Sequence, residues 1–404
     1  MVSIFSYVDS SKFWMKYSPA YESCLSQTLY LGTLKRQKNQ KSGQLVKHLY
    51  QLTSTALIEM DDKGNPYKLA YPHWKLLDPF YEETSDGPNF GFRLGRKDFY
   101  AESSESLDRW IECLKKICIA STFEEDFAII KEIGKGSSST VYLVEDLDTR
   151  KQYAAKCVHK SLLKEKKSSF RNLIQEIKVL YELDHPNIVD LYYVYETSDC
   201  VYMIMEYFPH GDLYKRILQK KYFSEEDCAK FASALLDALD YIHSRHIVHR
   251  DLKLENIMMI GENDYEFKII DFGLSYEGIQ MQTERCGSPG YIAPEMLRKC
   301  KYNHRVDIFS AGVIMYIIIT GQHPFNANSA SKILSKNMKC KIKDHFMLKD
   351  RAKEFVMNLL QALPQDRPDA ICFLDHPWIS NMKKTSVCHF IATSSTRVGS
   401  VVIE

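Results

Sequence analysis

His249-Arg250-Asp251-Leu252-Lys253-Leu254-Glu255-Asn256 sets a potential base, a lysine and a side-chain amide within one short span. Fifteen positions after Asn256 a second carboxylate follows, in Asp271-Phe272-Gly273, at the end of the apolar, strand-like run Phe267-Lys268-Ile269-Ile270. Phosphoryl transfer asks for this set: a carboxylate to orient the attacking hydroxyl, a cation to stabilise the moving phosphoryl group, and two oxygen ligands for Mg2+. An Asp-Phe-Gly alone is an ordinary turn after a strand. The two motifs together, at this spacing, are far more specific.

They match the signature set of the protein kinases, and residues 127–379 resemble that family with each catalytic motif in order. Residues 127–133 read as a strand leading into Gly134-Lys135-Gly136-Ser137-Ser138-Ser139-Thr140-Val141. Small residues there let backbone N–H groups approach phosphates. Ser139 stands where the family carries a third glycine. A strand follows the loop, whereas a helix would suggest a dinucleotide-binding turn. Tyr153-Ala154-Ala155-Lys156 is next, and residues 170–183 read as a helix carrying Glu176.

The resemblance implies a role for each motif residue. Asp251 orients the substrate hydroxyl and Lys253 neutralises the transferring phosphate. Asn256 and Asp271 ligate Mg2+. Gly134, Gly136 and Ser139 cover the ATP phosphates, Lys156 holds them, and Glu176 pairs with Lys156. Glu206-Tyr207-Phe208 is the hinge, with backbone groups at Glu206 and Phe208 facing the adenine and Met205 guarding the back pocket. Val141 and Ala154 lie above the base and Met258 below it. Asp307 braces the catalytic loop, and Arg367 pairs with Glu295 of Ala293-Pro294-Glu295. Lys253, two positions after Asp251, marks the Ser/Thr class. Cys286-Gly287-Ser288-Pro289-Gly290-Tyr291 and His376-Pro377-Trp378 are similar to the calcium/calmodulin-dependent and AMP-activated group. Within the tail (380–404), residues 381–404 lack a basic amphipathic pattern, so calmodulin binding is not expected.

Substrate choice and activation follow from the same likeness. Asp212 and Glu255 occupy the places that receive an arginine three residues before the phosphoacceptor. Ile317 stands where a further acidic residue would favour a second arginine. Arg250, next to the catalytic aspartate, asks for a negative charge on the activation loop. Glu284 sits at the usual phosphothreonine position, and Thr283 beside it is the alternative phosphosite.

Before the kinase-like region, residues 25–119 read as strands (29–34, 45–52, 67–77 and 90–101) closed by one helix. Ser104 or Ser106 is its candidate N-cap, and Leu107, Trp110, Ile111, Leu114 and Ile117 share a face. Strands followed by a helix bearing a tryptophan resemble a pleckstrin-homology domain; an unrelated small barrel is the alternative. Lys35, Arg36, Lys38, Lys41 and Lys47 form a basic segment, and residues 35–47 allow at most a weak phosphoinositide or membrane contact. Val46 and His48 replace the basic residues of lipid-binding members, and Lys47 should point to the opposite face. Residues 1–24 form an aromatic arm and 120–126 a short linker that keeps the two domains in touch.

The expected architecture is therefore α+β: a bilobal protein-kinase fold preceded by a small β-barrel with a C-terminal capping helix. The 404 residues, 45% apolar and 26% charged, suit a globular protein of two or three domains, and the formal charge of +1 argues against nucleic-acid binding. Eleven cysteines, scattered without close pairs, read as reduced packing thiols of a cytoplasmic protein with room for a peripheral place at membranes. The expected function is ATP- and Mg2+-dependent phosphorylation of protein substrates on Ser or Thr. A catalytically silent scaffold or a lipid-recruited adaptor is the alternative.

Overall fold

The computed structural model describes residues 3–7, 13–25, 27–37, 44–84, 87–136, 138–165, 167–220, 223–342 and 345–380. Lys38, Lys41 and the tail from 381 onward lie outside the described residues. The chain divides into two compact units. One holds the residues up to Phe170 together with Asp190–Tyr207; the other holds Arg171–Val189 and the chain from Phe208 on.

The first unit is built on one sheet. Its N-terminal strands are β1 (Met15–Lys16), β2 (Thr28–Gln37), β3 (Leu45–Thr53), β4 (Leu57–Met60), β5 (Pro66–Ala70), β6 (Leu76–Thr84), β7 (Gly87–Leu94) and β8 (Lys97–Tyr100), followed by helix α1 (Ser104–Lys115). After α1 come β9 (Ile119–Ala120), the short helix α2 (Phe123–Asp126), β10 (Phe127–Lys135), β11 (Thr140–Asp146), β12 (Gln152–His159), β13 (Leu191–Glu196) and β14 (Cys200–Glu206). Among the described residues the strand order is β1-β5-β4-β3-β2-β8-β7-β6-β9-β13-β14-β12-β11-β10.

The N-terminal part differs from expectation in several details. The run expected at 67–77 divides into β5 and β6, because Pro72 opens a turn closed by Lys75 N–H donating to Pro72 O at 2.8 Å. Gly87-Pro88-Asn89, which lies between two of the expected runs, begins β7; Pro88 lies near the strand start, where a missing N–H is tolerated. The cap of α1 is Ser103, whose Oγ accepts from Ser106 N at 3.2 Å. Trp110, Ile111 and Leu114 are buried on one face of α1, against Leu34, Tyr50, Leu77, Phe92 and Phe99. Trp110 is completely buried, and its loss to alanine would destabilise by about 3–5 kcal/mol.

Among the described residues the strands do not close into a barrel. β6 instead takes β9 as a parallel neighbour (Leu76 with Ile119), and β9 pairs in parallel with β13 (Val194 with Ile119). The segment expected as a linker is thus folded: Ala120 and Phe123 are buried among Phe127, Tyr153, Tyr195 and Ile204. Phe123 stacks on Tyr202 at 3.8 Å with the rings nearly parallel. Asp126 accepts from Lys115 Nζ at 2.6 Å and from Tyr195 OH at 2.7 Å. The aromatic arm is packed as well, with Phe5 fully buried and stacked on Trp74. Ser3 Oγ and Ile4 N both donate to Glu196, the latter at 2.8 Å. Glu196 is fully buried and also receives Lys160 Nζ at 2.7 Å.

Helices α3 (Lys160–Glu165) and α4 (Lys167–Glu182) follow β12. The second unit contains α5 (Leu213–Gln219), α6 (Glu225–Ser244), the strand pairs β15 (Ile247–Val248) with β18 (Tyr276–Glu277) and β16 (Ile257–Met259) with β17 (Phe267–Ile269), α7 (Pro294–Leu297) and α8 (Arg305–Thr320). Ser224 caps α6, its side chain accepting from Asp227 N. α8 is buried along nearly its whole length, as its nearly all-apolar sequence requires. No described helix is long and apolar enough to cross a membrane.

Candidate active site

In the second unit, residues 249–256 run between β15 and β16, and Asp271 follows β17, which pairs with β16. Ile270 N donates to Asn256 O at 2.9 Å, so the two motifs are hydrogen-bonded to each other. Arg250 and Asp271 both adopt left-handed backbone, at φ 67° and 62°. Such conformations are strained for residues with a Cβ and need support. Asp307, completely buried at the start of α8, supplies it by accepting from His249 N at 2.8 Å and Arg250 N at 2.9 Å. His243 adds a third contact to Asp307 at 3.0 Å. Burial opposes the charge on Asp307, but the His243 contact, the field of His249 and the Arg250 amide outweigh it and hold the carboxyl below its usual range. His249 and Phe272, both fully buried, pack against each other, which fixes the residue after Asp271.

Asp251 is the focus of the loop. Its Oδ2 accepts from Lys253 Nζ at 2.7 Å, and its Oδ1 accepts from Ser288 Oγ at 2.8 Å. Lys253 also reaches Ser288 Oγ at 3.1 Å. Gly287 brings Ser288 this close: its φ is +95° and a Cβ there would lie 2.7 Å from Arg250 O. Asn256 Nδ2 donates to Asp251 O at 2.9 Å, which leaves its amide oxygen for a cation. At Gly273 a Cβ would stand 3.2 Å from Asp271 Oδ1 and 3.2 Å from Glu176 Oε2, so the glycine admits two carboxylates to one corner. An amide oxygen and a carboxylate on hydrogen-bonded segments are hard oxygen donors, and they fit Mg2+.

Arg250 turns away from this centre. It donates through Nε to Leu274 O at 2.6 Å and through one terminal nitrogen to both Glu284 Oε2 and Tyr302 OH at 3.2 Å. Tyr302 OH donates to Glu284 O at 2.7 Å. Burial raises the Cys286 thiol, though Arg250 partly offsets it. Thr283 is exposed, as is most of the Glu284 side chain. Arg367, fully buried, makes a two-pronged pair with Glu295 at 2.6 and 2.8 Å. Asp212 caps α5, accepting from Lys215 N at 2.8 Å, while Glu255 is exposed. Met258 is half-buried in β16, Phe208 is buried, and Ile317 is buried within α8.

The nucleotide-side residues belong to the first unit. Gly134 and Val141 are register partners across the β10–β11 hairpin, and Gly136 N donates to Ser139 O at 2.8 Å to tighten its turn. Lys156 lies on β12 opposite Met203, and Ala154 opposite Met205; Glu206 ends β14. Three contributors escaped the reading of single motifs. Ser288 stood in the quoted Cys-Gly-Ser segment, but nothing there signalled its bond to Asp251. Tyr302 and His243 have no local signal, since both act through distant partners.

Comparison with known proteins agrees with this chemistry. Residues 127–379 match the protein kinase domain family. The probable serine/threonine-protein kinase 2 of Plasmodium falciparum (isolate K1 / Thailand) is 34% identical over 341 residues, 80% of this chain and 66% of that protein. The calcium/calmodulin-dependent protein kinase type 1 of Caenorhabditis briggsae is 37% identical over 267 residues, 64% of this chain and 74% of that protein. The myosin light chain kinase A of Dictyostelium discoideum is 36% identical over 266 residues, 64% of this chain and 89% of that protein. The chain belongs to the protein kinase family, as a protein serine/threonine kinase that uses ATP and Mg2+.

Proposed function

We propose that this kinase phosphorylates protein substrates through Asp251, which orients the acceptor hydroxyl and takes its proton. The supporting observation is the grip of Lys253 and Ser288 on the two Asp251 oxygens. Lys253 neutralises the moving phosphoryl group, and Asn256 and Asp271 would hold Mg2+, which supplies charge neutralisation at the phosphates. Gly134, Gly136, Ser139 and Lys156 bind the ATP phosphates, with Val141, Ala154, Met205 and Met258 against the adenine and the Glu206 and Phe208 backbones at its edge. The test is phosphate transfer from ATP to a generic protein substrate by the purified full chain, with Asp251→Asn as control. No transfer by the wild type would favour a silent scaffold.

Activation through Glu284 belongs to the same reading. The 3.2 Å pair with Arg250, shared with Tyr302, supports a resident carboxylate doing part of the work of a phosphate. Protein made in a host without such kinases should be active, with Glu284→Gln lowering kcat and Thr283→Ala silent. Activity that appears only on Thr283 phosphorylation refutes this. Exposed Glu255, with Asp212 partly engaged at its helix cap, favours an arginine three residues before the acceptor. A peptide array without that preference overturns it.

The N-terminal domain reads as pleckstrin-homology-like, supported by the order β5-β4-β3-β2-β8-β7-β6 and the covering helix α1. Its lipid affinity is weak. Arg36 is committed to Glu59 at 2.9 Å and to Tyr50, His48 lies 3.8 Å from Glu59, and Lys47 meets Glu102. Tight, headgroup-selective liposome binding would contradict this. The relatives named for calmodulin dependence make calmodulin a partner to test, because the expectation against it rested on residues 381–404, outside the described residues. Calcium-dependent capture on immobilised calmodulin decides it.

A further inference from the structure

We propose that Cys157, His159 and Cys200 form a zinc site on the β12–β14 ladder, with three protein ligands and one open position. In sequence the two cysteines are far apart, so spacing gives no hint of them as a pair. The sheet brings them together. Cys157 and His159 are two apart on β12 and so share a face, and Cys200 is the register partner of His159. Among the described residues, their ligand atoms form a group in which all lie within 4.8 Å of one another. Cys200 Sγ is 3.3 Å from His159 Nδ1. Zinc bound at about 2.3 Å to sulfur and about 2.0 Å to nitrogen requires sulfurs and nitrogen roughly 3.5–4 Å apart, so little movement is needed.

The chemistry of the set is selective. Two thiols and an imidazole are soft and borderline ligands; they suit Zn2+ and not Mg2+ or Ca2+. On binding, each thiol gives up its proton and the imidazole stays neutral, so the two thiolate charges balance the cation. Both sulfurs are buried, while His159 is exposed and provides the route of entry. Lys160, the residue after His159, is already held by Glu196 at 2.7 Å and by Thr197 O. Tyr202, the register partner of Cys157, lies on the same face of β14 as Cys200, and its ring is the one stacked on Phe123. Bound zinc would tie β12 to β14 one residue beyond Lys156, on the other face of the strand.

The experiment uses the full chain, reduced and freed of metal. Zn2+ is titrated in competition with a chromophoric chelator, and Co2+ is substituted as a spectroscopic probe. One equivalent should bind, and the cobalt form should show thiolate-to-cobalt charge transfer with tetrahedral ligand-field bands. Cys157→Ser with Cys200→Ser should abolish both, and His159→Gln should weaken binding at least tenfold. Cys372→Ser, at an exposed position elsewhere, should change nothing. Should the double serine variant not fold, the wild-type cobalt spectrum and the exposed His159→Gln change still decide. Absence of stoichiometric zinc, a cobalt spectrum without the thiolate band, binding that survives loss of these ligands, or a Cys157–Cys200 disulfide in the reduced preparation overturns the proposal.

Discussion

Lys160→Met tests how firmly the N-terminal segment is built into the kinase sheet. Glu196 is fully buried, and its charge is met by Lys160 Nζ at 2.7 Å, Ile4 N at 2.8 Å and the Ser3 hydroxyl. Methionine keeps the stem and removes the cation, leaving a buried carboxylate with two neutral donors. Breaking a buried pair from one side is destabilising by about 3–5 kcal/mol. For a folding unit of this size, each kcal/mol is worth about 2–4 °C, so the midpoint should fall by roughly 6–20 °C. Ser3→Ala removes a hydrogen bond to a charged acceptor, for about 1.5–3 kcal/mol. Lys160→Met with Glu196→Gln should be milder than Lys160→Met alone, because no unpaired charge remains. Thermal unfolding followed by near-ultraviolet circular dichroism reads all three. A midpoint loss under about 2 °C for Lys160→Met, or a silent Ser3→Ala, would mean that the N-terminal turn does not seat on Glu196 and would refute the reasoning.

Other outcomes are equally specific. Asp271→Asn, which tolerates the left-handed backbone, should lower transfer on the order of 100-fold or more with little change in melting, measured by steady-state kinetics. Glu295→Gln should destabilise by about 3 kcal/mol or more, whereas Glu295→Gln with Arg367→Met should cost less than the two single changes added, in a double-mutant cycle of denaturation midpoints. Burial holds the His323 imidazole down to about 4, below its ordinary 6.5. The unfolded chain therefore binds the extra proton between those values. Stability is full above pH 6.5 and falls as pH drops toward 4, by up to about 3 kcal/mol; His323→Gln should flatten that part of a pH–melting curve.

The chemistry was legible because phosphoryl transfer places its residues on short contiguous motifs. Asp251, Lys253 and Asn256 lie within one loop, and the pairing of β16 with β17 delivers Asp271 to it. Even the bracing of the loop by Asp307 and the Glu295–Arg367 pair were readable from motif likeness. What escaped depends on residues remote in sequence. The basic segment around Lys47 looked unopposed because Glu59 and Glu102 lie beyond it and are returned only by the fold. Residues 120–126 looked like a linker because a two-residue strand carries no periodicity, and only its two neighbours reveal β9 as part of the sheet. The Cys157–Cys200 approach was equally invisible, since its register is set by strands joined through two helices and β13.

The parallel strand β9 also bears on how this protein can be cut. The family match begins at Phe127, seven residues after β9 ends. A fragment started there loses β9, the second neighbour of β13 beside β14, and bares the β13 edge at Val194 and Tyr195. Such an edge is a template for intermolecular pairing. The catalytic fragment defined by homology is the one expected to precipitate, and a soluble version has to begin upstream of β6.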